Sequence, residues 1–390
     1  MMTRYKFIGS FTLVMFVVAM VFSSCRKPQK SASASALMTE LRQLVDSGFV
    51  LFGQANPTSI TYVDGLSHKD IEWSDCREVA GDNPALFESD IMWYGDSVFK
   101  AKDLKAMKRA MDMGCVVGYC WHMGGKMTGQ FYSEMNGYQS PDCELVHNIL
   151  SDTCRETNVW LNWLLTEMDT KLLPVLSQFD GPIYFRPWHE MNGDWFWWGA
   201  SSCTAEEYKD LFRLTVNYIR SKGLNNVLFV WAADKRFADE YYPGDEYVDV
   251  LGMDVYEPGI KEWSAYDIIL PELERMINYA DEHDKVTALT EVGCRREKGG
   301  TGNLLYPDSY PRFWSENVLK EILENRQTSR LAWVMSWYGF DHNGEREDIA
   351  YVPYVGMNRK NSDVAIVDFR KFLQSKRMLT ETKFRQFRHR

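Results

Sequence analysis

The stretch Gly181-Pro182-Ile183-Tyr184-Phe185-Arg186-Pro187-Trp188-His189-Glu190-Met191-Asn192-Gly193-Asp194-Trp195-Phe196-Trp197-Trp198-Gly199 begins as an apolar strand and ends in a loop crowded with indole rings. Arg186, His189 and Glu190 stand where the one gives way to the other. Aromatic faces stack on the C–H faces of pyranose rings, and apolar surroundings in general raise a carboxyl pKa towards the range where it gives up a proton at neutral pH. The stretch is therefore read as a buried strand that ends in a proton donor, Glu190, beside a flat wall suited to a sugar ring.

Seven further runs have the same near-continuous apolar character: 49–54, 84–90, 115–122, 226–232, 248–256, 286–293 and 331–338. Most are separated by segments of helical periodicity, expected over 37–47, 97–113, from about 142 to 179, 204–221, 266–283, 311–325 and 363–384. Thr204-Ala205-Glu206-Glu207 has the pattern of a capping box, and Gly114 is placed to stop a helix. Strands alternating with helices predict a parallel sheet buried on both faces. Closure into a (β/α)8 TIM barrel, a single catalytic domain, is the expected architecture, and it puts chemistry at the C-terminal ends of the strands. Asp90, His122, Glu190, Tyr256, Glu291 and Trp337 all fall at such ends. A doubly wound open sheet is the alternative, but no Gly-rich phosphate loop follows the first strand.

Two of these residues are glutamates, at the ends of the fourth and seventh strands. A closed barrel sets them face to face across its mouth. Glycosidic cleavage needs such a pair: one acid protonates the leaving oxygen while the other attacks the anomeric carbon or activates water.

Arg186-Pro187-Trp188-His189-Glu190-Met191-Asn192-Gly193, with Trp195 beyond it, and Thr290-Glu291-Val292-Gly293 resemble glycoside hydrolase family 26, which consists mainly of β-1,4-mannanases. The resemblance extends from about Phe49 to Phe340. Most families of this barrel clan carry Asn before the acid, whereas this one carries His. The resemblance implies that Glu190 is the acid/base and Glu291 the nucleophile of a retaining, double-displacement hydrolysis. It also implies that Trp121-His122 is the third-strand pair, with His122 bonding sugar hydroxyls, and that His189 keeps the neighbouring acid oriented. Tyr256 would bond the nucleophile, Asp254 a more distal sugar, and Arg186 would steady the glutamates. Trp195 and Trp337 would be platforms on either side of the cleavage point. Tyr338 follows Trp337 where some members have Arg, which leaves the distal glycone contacts and the chain-length preference open.

The chain's 390 residues are 45% hydrophobic and 25% charged, as a globular protein's are, and aromatic content is high at 14%. A net charge of −10 without any sustained basic run argues against nucleic acid and against polyanionic substrates. The expected partner is a neutral β-mannan polysaccharide or oligosaccharide, cleaved without a cofactor or metal by a monomer. Attack within the chain is the default. Release of mannobiose from chain ends is one alternative, and β-1,3-xylan or mixed-linkage β-glucan as substrate is another. A glycan-binding lipoprotein without catalysis is the non-enzymatic alternative, although a binder gains little from two opposed acids.

Residues 1–24 read as a lipoprotein signal peptide: Arg4 and Lys6, then the apolar run from Phe7 to Phe22, then Ser23-Ser24-Cys25. Cys25 would carry the lipid anchor, residues 25–36 would form a flexible tether, and 37–390 the catalytic domain. The expected location is the bacterial cell envelope, on the outer membrane, with the periplasm-facing side favoured over the cell surface. Of the other seven cysteines not all can pair, and Cys115 and Cys120 are expected to be buried thiols.

Overall fold

A computed structural model describes residues 30–60, 74–256, 265–294, 306–338 and 351–389. Eight parallel strands run in chain order around it: β1 Val50–Ala55, β2 Leu86–Asp90, β3 Val116–Cys120, β4 Ile183–Arg186, β5 Val227–Asp234, β6 Val250–Val255, β7 Val286–Val292 and β8 Trp333–Ser336. Each pairs with its predecessor, and β1 pairs with β8 from Leu51↔Trp333 to Gln54↔Ser336. That last pairing closes the sheet, so the fold is a (β/α)8 barrel and not an open doubly wound sheet. Nearly every strand residue is buried because helices cover the outer face and side chains fill the interior. Inside, the Tyr184 and Trp333 rings stack 5.5 Å apart. A Cβ at Gly118, on the strand beside Tyr184, would lie 2.1 Å from that ring, so this layer tolerates no side chain there.

Several expectations need correction. The helix expected over 37–47 spans Ala32–Asp46, capped by Ser31, whose hydroxyl accepts from the Ala34 amide at 3.2 Å. Ala34, Leu37, Met38, Leu41 and Leu44 form its buried stripe, so the second half of the segment read as a flexible tether is ordered helix. Small Ala and Ser residues look like linker composition, yet they also suit a capped helix packed close to a barrel. The segment expected as one helix over 363–384 is a helix, Ser362–Gln374, then a two-residue strand, Met378–Leu379, paired with Val50–Leu51, then a second helix, Glu381–Arg388. The loop between Met123 and Asp142 holds a small hairpin, Glu134–Met135 against Tyr138–Gln139, turned by Asn136 and Gly137 with φ of 54° and 78°. The helix Asp75–Ala80 was not expected from the sequence.

Cys115 and Cys120 are buried, and burial pushes both thiols well up from their ordinary pKa. Cys76, Cys143 and Cys203 are likewise buried thiols outside any disulfide, and Cys154 is an exposed one. The signal segment 1–24 and Cys25 lie outside the described residues.

Candidate active site

Glu190 is set on a distorted turn just past β4. Trp188 and Glu190 have φ of 51° and 55°, left-handed values that bulky residues rarely adopt and that cluster at functional sites. Hydrogen bonds hold this backbone on both sides. The Tyr208 hydroxyl donates to the Trp188 carbonyl at 2.9 Å, the Trp198 indole to the His189 carbonyl at 2.8 Å, and the Glu190 amide to Ala232 of β5 at 2.8 Å. The Asn192 amide group clasps the end of β5, accepting from the Asp234 amide and donating to its carbonyl, both at 2.8 Å. The loop then returns over the acid, and the Trp195 indole N–H donates to Glu190 Oε2 at 2.7 Å.

Glu291 is aimed by a different device. Along β7 the pairing with both neighbours slips by one residue: Met253↔Leu289 is followed by Asp254↔Glu291 on one side, and Val334↔Leu289 by Ser336↔Val292 on the other. A bulge of this kind re-aims a side chain, and here it falls beside the glutamate. Tyr256 donates its hydroxyl to Glu291 Oε2, and Arg186 Nη2 donates to Oε1 at 2.6 Å. Oxygens of Glu190, Asp254 and Glu291 lie within 4.8 Å of one another. The two glutamates, which the sequence places 101 residues apart, thus share one mouth.

Beneath them Arg186, with no exposed surface, faces three carboxylates. Besides Glu291 it donates to Asp254 Oδ2 at 3.0 Å and forks onto Glu88 at 2.6 and 3.2 Å. Burial works against the guanidinium's charge, but Glu88, Asp254 and Glu291 outweigh it and hold its pKa well above the ordinary value. Burial also raises the Glu88 carboxyl, with Arg186 opposing, and it raises Asp254 well above the carboxylate range, reinforced by the Glu291 charge. One cation among three acids leaves the cluster short of positive charge, and the two deepest acids respond by holding their protons more tightly. The spacing of Glu190, Asp254 and Glu291 would suit a metal ion, but the guanidinium already fills the place of a cation there.

A second buried chain runs from β2. Asp90 accepts from the His122 ring Nδ1 at 2.6 Å and from the His122 amide at 3.1 Å. His122 Nε2 meets His189 Nε2 at 3.1 Å, so one proton lies between the two rings. His189 Nδ1 has no hydrogen-bond partner among the described residues, and its Nε2 stands 4.0 Å from Glu291. Burial alone would lower the pKa of His122, but Asp90 holds it up; burial and the nearby Arg186 charge push His189 well down. The pair therefore keeps its charge on His122 and its neutral ring beside the glutamates. Trp337 closes the group, 5.7 Å from the His122 ring and 5.9 Å above the Arg186 guanidinium.

This arrangement brings together Glu190, Glu291, His122, Arg186, His189, Trp195, Tyr256 and Trp337. One expectation does not fit it. Asp254 is fully buried, with Oδ2 on Arg186 and Oδ1 accepting from the Thr290 hydroxyl at 2.5 Å, so it is turned inward and not towards a distal sugar. Trp121 is buried among apolar side chains, to the same degree as Trp337. Arg186, like Asp254, is sealed from the cleft and acts through the carboxylates it holds. Glu88 was missed altogether; its only signal is an acid inside an apolar strand, Leu86-Phe87-Glu88, which requires a buried cation.

A model of glycosyl hydrolase family 26 matches residues 26–293, more than half of the chain. The chain belongs to that family. It is a glycoside hydrolase, and its likeness to known family 26 proteins is broad. A mannan endo-1,4-β-mannosidase of Bifidobacterium adolescentis is 34% identical over 216 residues, 52% of this chain but 20% of that much longer protein. A mannan endo-1,4-β-mannosidase of Bacillus subtilis is 26% identical over 271 residues, 65% of this chain and 70% of its relative. Among solved structures, a family 26 β-mannanase from Bacteroides ovatus superposes with a TM-score of 0.71 at 28% identity, covering 90% of this chain and 96% of that one.

Proposed function

We propose that this family 26 hydrolase cleaves β-1,4-mannosidic bonds within mannan, glucomannan or galactomannan with retention of anomeric configuration. The observation that carries the reading is the pair Glu190 and Glu291, with oxygens within 4.8 Å and with different partners. Retaining enzymes hold their acids about 5–5.5 Å apart, whereas inverting ones leave space for a water. Glu291, held by Arg186 and Tyr256, attacks the anomeric carbon while Glu190 gives its proton to the departing glycosidic oxygen. The glycosyl ester on Glu291 is then opened by water, whose proton returns to Glu190. His122 and His189 line the floor, and Trp195 and Trp337 offer ring faces on either side. The names of the B. adolescentis and B. subtilis relatives, both mannan endo-1,4-β-mannosidases, support mannan as substrate and attack within the chain.

The test is incubation with linear mannan and mannohexaose, following products and anomeric configuration by NMR. A spread of oligosaccharides formed as β-anomers is expected. First-formed α-anomers would remove the double displacement, and failure to cleave mannan would remove the substrate.

We also infer that Cys25 carries a lipid anchor, on the strength of the basic, apolar and small-residue sequence ahead of it. Palmitate incorporation that is lost in Cys25→Ala is the expected outcome, and an unlabelled protein would contradict it.

A further inference from the structure

We propose that the closed, N-terminal end of the barrel rests against the membrane and that the catalytic cleft opens away from it. This rests on the lipid-anchor reading of Cys25, and it follows from where the chain enters the fold. The Lys30 ammonium is paired with the buried Asp249 carboxylate, and the Ser31 amide donates to the Asn225 carbonyl at 2.9 Å. Asp249 and Asn225 immediately precede β6 and β5, so both belong to the face opposite the strand ends that carry Glu190 and Glu291.

From that clasp the Ala32–Asp46 helix crosses beneath the barrel to β1, with Arg42 bound to the Asp284 carbonyl ahead of β7 at 2.7 Å. The Glu381–Arg388 helix covers the rest of this end. Its first amide donates to Asn83 ahead of β2, and Arg388 donates to Gly114 ahead of β3.

Five residues separate Cys25 from Ser31, and the six steps between them reach no more than about 22 Å even when fully extended. The Ala205–Ser221 helix on the barrel's flank, 17 residues long, is itself about 26 Å from end to end. A leash fixed at the closed end cannot climb that flank and also turn the mouth towards the lipid. The exposed positions of the Ala32–Asp46 helix from its start to Gln43 are Ala32, Ser35, Ala36, Thr39 and Gln43, all uncharged in a chain of net charge −10. Exposed Lys376 adds a cation on the same end. Asp46 and the Arg42-paired Asp284 lie towards the β1 and β7 edge. The same end also presents exposed Asp112, Asp180, Glu246 and Glu282, ahead of β3, β4, β6 and β7, so the orientation is set by the length of the leash and not by attraction to an anionic leaflet. The consequence for function is that the enzyme works on polysaccharide arriving from the aqueous side and not on glycan attached to its own membrane.

The test uses the lipidated full-length protein in vesicles that contain a lipid with a nitroxide headgroup. A fluorophore is placed at Gln43→Cys on the closed end or at Tyr138→Cys on the hairpin beside the cleft, each with Cys154→Ser to remove the exposed thiol. Several-fold stronger quenching at position 43 than at 138 is expected. The difference should disappear when a Gly/Ser insert of about 40 residues, about 35 Å in r.m.s. span, is placed before Lys30. Equal quenching without the insert, or stronger quenching at 138, would overturn the orientation while palmitate labelling of Cys25 still stood. Absence of palmitate would overturn the anchor and the orientation together.

Discussion

Tyr256 makes the contact with Glu291 that is most specific to the reaction, because it donates to the oxygen that Arg186 does not hold. A hydrogen bond to a charged group contributes about 1.5–3 kcal/mol. Tyr256→Phe is therefore expected to lower kcat roughly 10- to 100-fold. An unchanged pre-steady-state rate of glycosyl-enzyme formation would contradict the role. Asp90 and His122 make a pH-dependent pair. Burial alone would raise Asp90 and lower His122, yet their contact reverses both, so the Asp90 carboxyl is held down and the His122 imidazolium up. The raised His122 contributes stability that is full below its ordinary value near 6.5 and is lost as pH rises through its folded pKa. The lowered Asp90 contributes above its ordinary value near 3.9 and is lost as pH falls through its folded pKa. The pair is thus worth most between about pH 4 and 6.5. Asp90→Asn should depress Tm more at pH 5.5 than at pH 8.5, and an equal depression at both would show that the pair carries no charge.

At the scale of elements, the loop after β4 and the bulge in β7 do the positioning. A Cβ on Gly193 would come within 2.4 Å of the Trp195 ring, so the glycine is what lets that indole fold back onto Glu190. Gly193→Ala should displace the indole and lower kcat/KM at least tenfold, roughly what loss of a hydrogen bond to a charged group costs, with little change in Tm. Loss of activity in proportion to loss of fold would instead mark Gly193 as purely structural. These elements were legible to different degrees. The Arg186–Gly199 stretch displayed its chemistry openly, since an apolar strand that ends in His-Glu before a run of indoles has few other readings. The bulge at Glu291 left no mark on Val286–Val292, because register is decided by the two neighbouring strands. Glu88 was missed and Asp254 misjudged for a related reason: whether a strand acid faces the mouth or Arg186 depends on partners 98 and 68 positions away.

For the whole molecule, eight apolar runs spaced by helices were sufficient to indicate a closed barrel, since closure buries every strand on both faces and leaves no edge. The closed end was not legible. Residues 32–36 look like linker, and the short strand Met378–Leu379 interrupts what reads as one helix, yet these segments cap the barrel at its two termini. Phe384 of the last helix is fully buried, worth about 2–3 kcal/mol, and the Arg388–Glu40 pair on the surface adds little. Removing residues 381–390 should lower Tm by roughly 5 °C without changing kcat/KM, because nothing in that helix reaches the mouth. A loss of turnover at full stability would tie the two ends of the barrel together. The central claim, that Glu291 attacks the sugar while Glu190 protonates the leaving group, is tested most directly by trapping the glycosyl-enzyme. A 2-deoxy-2-fluoro-mannosyl donor should inactivate the protein with one added sugar, found by peptide mass spectrometry on the segment that contains Glu291. A label on any other residue, or a fully active enzyme without a label, would contradict it.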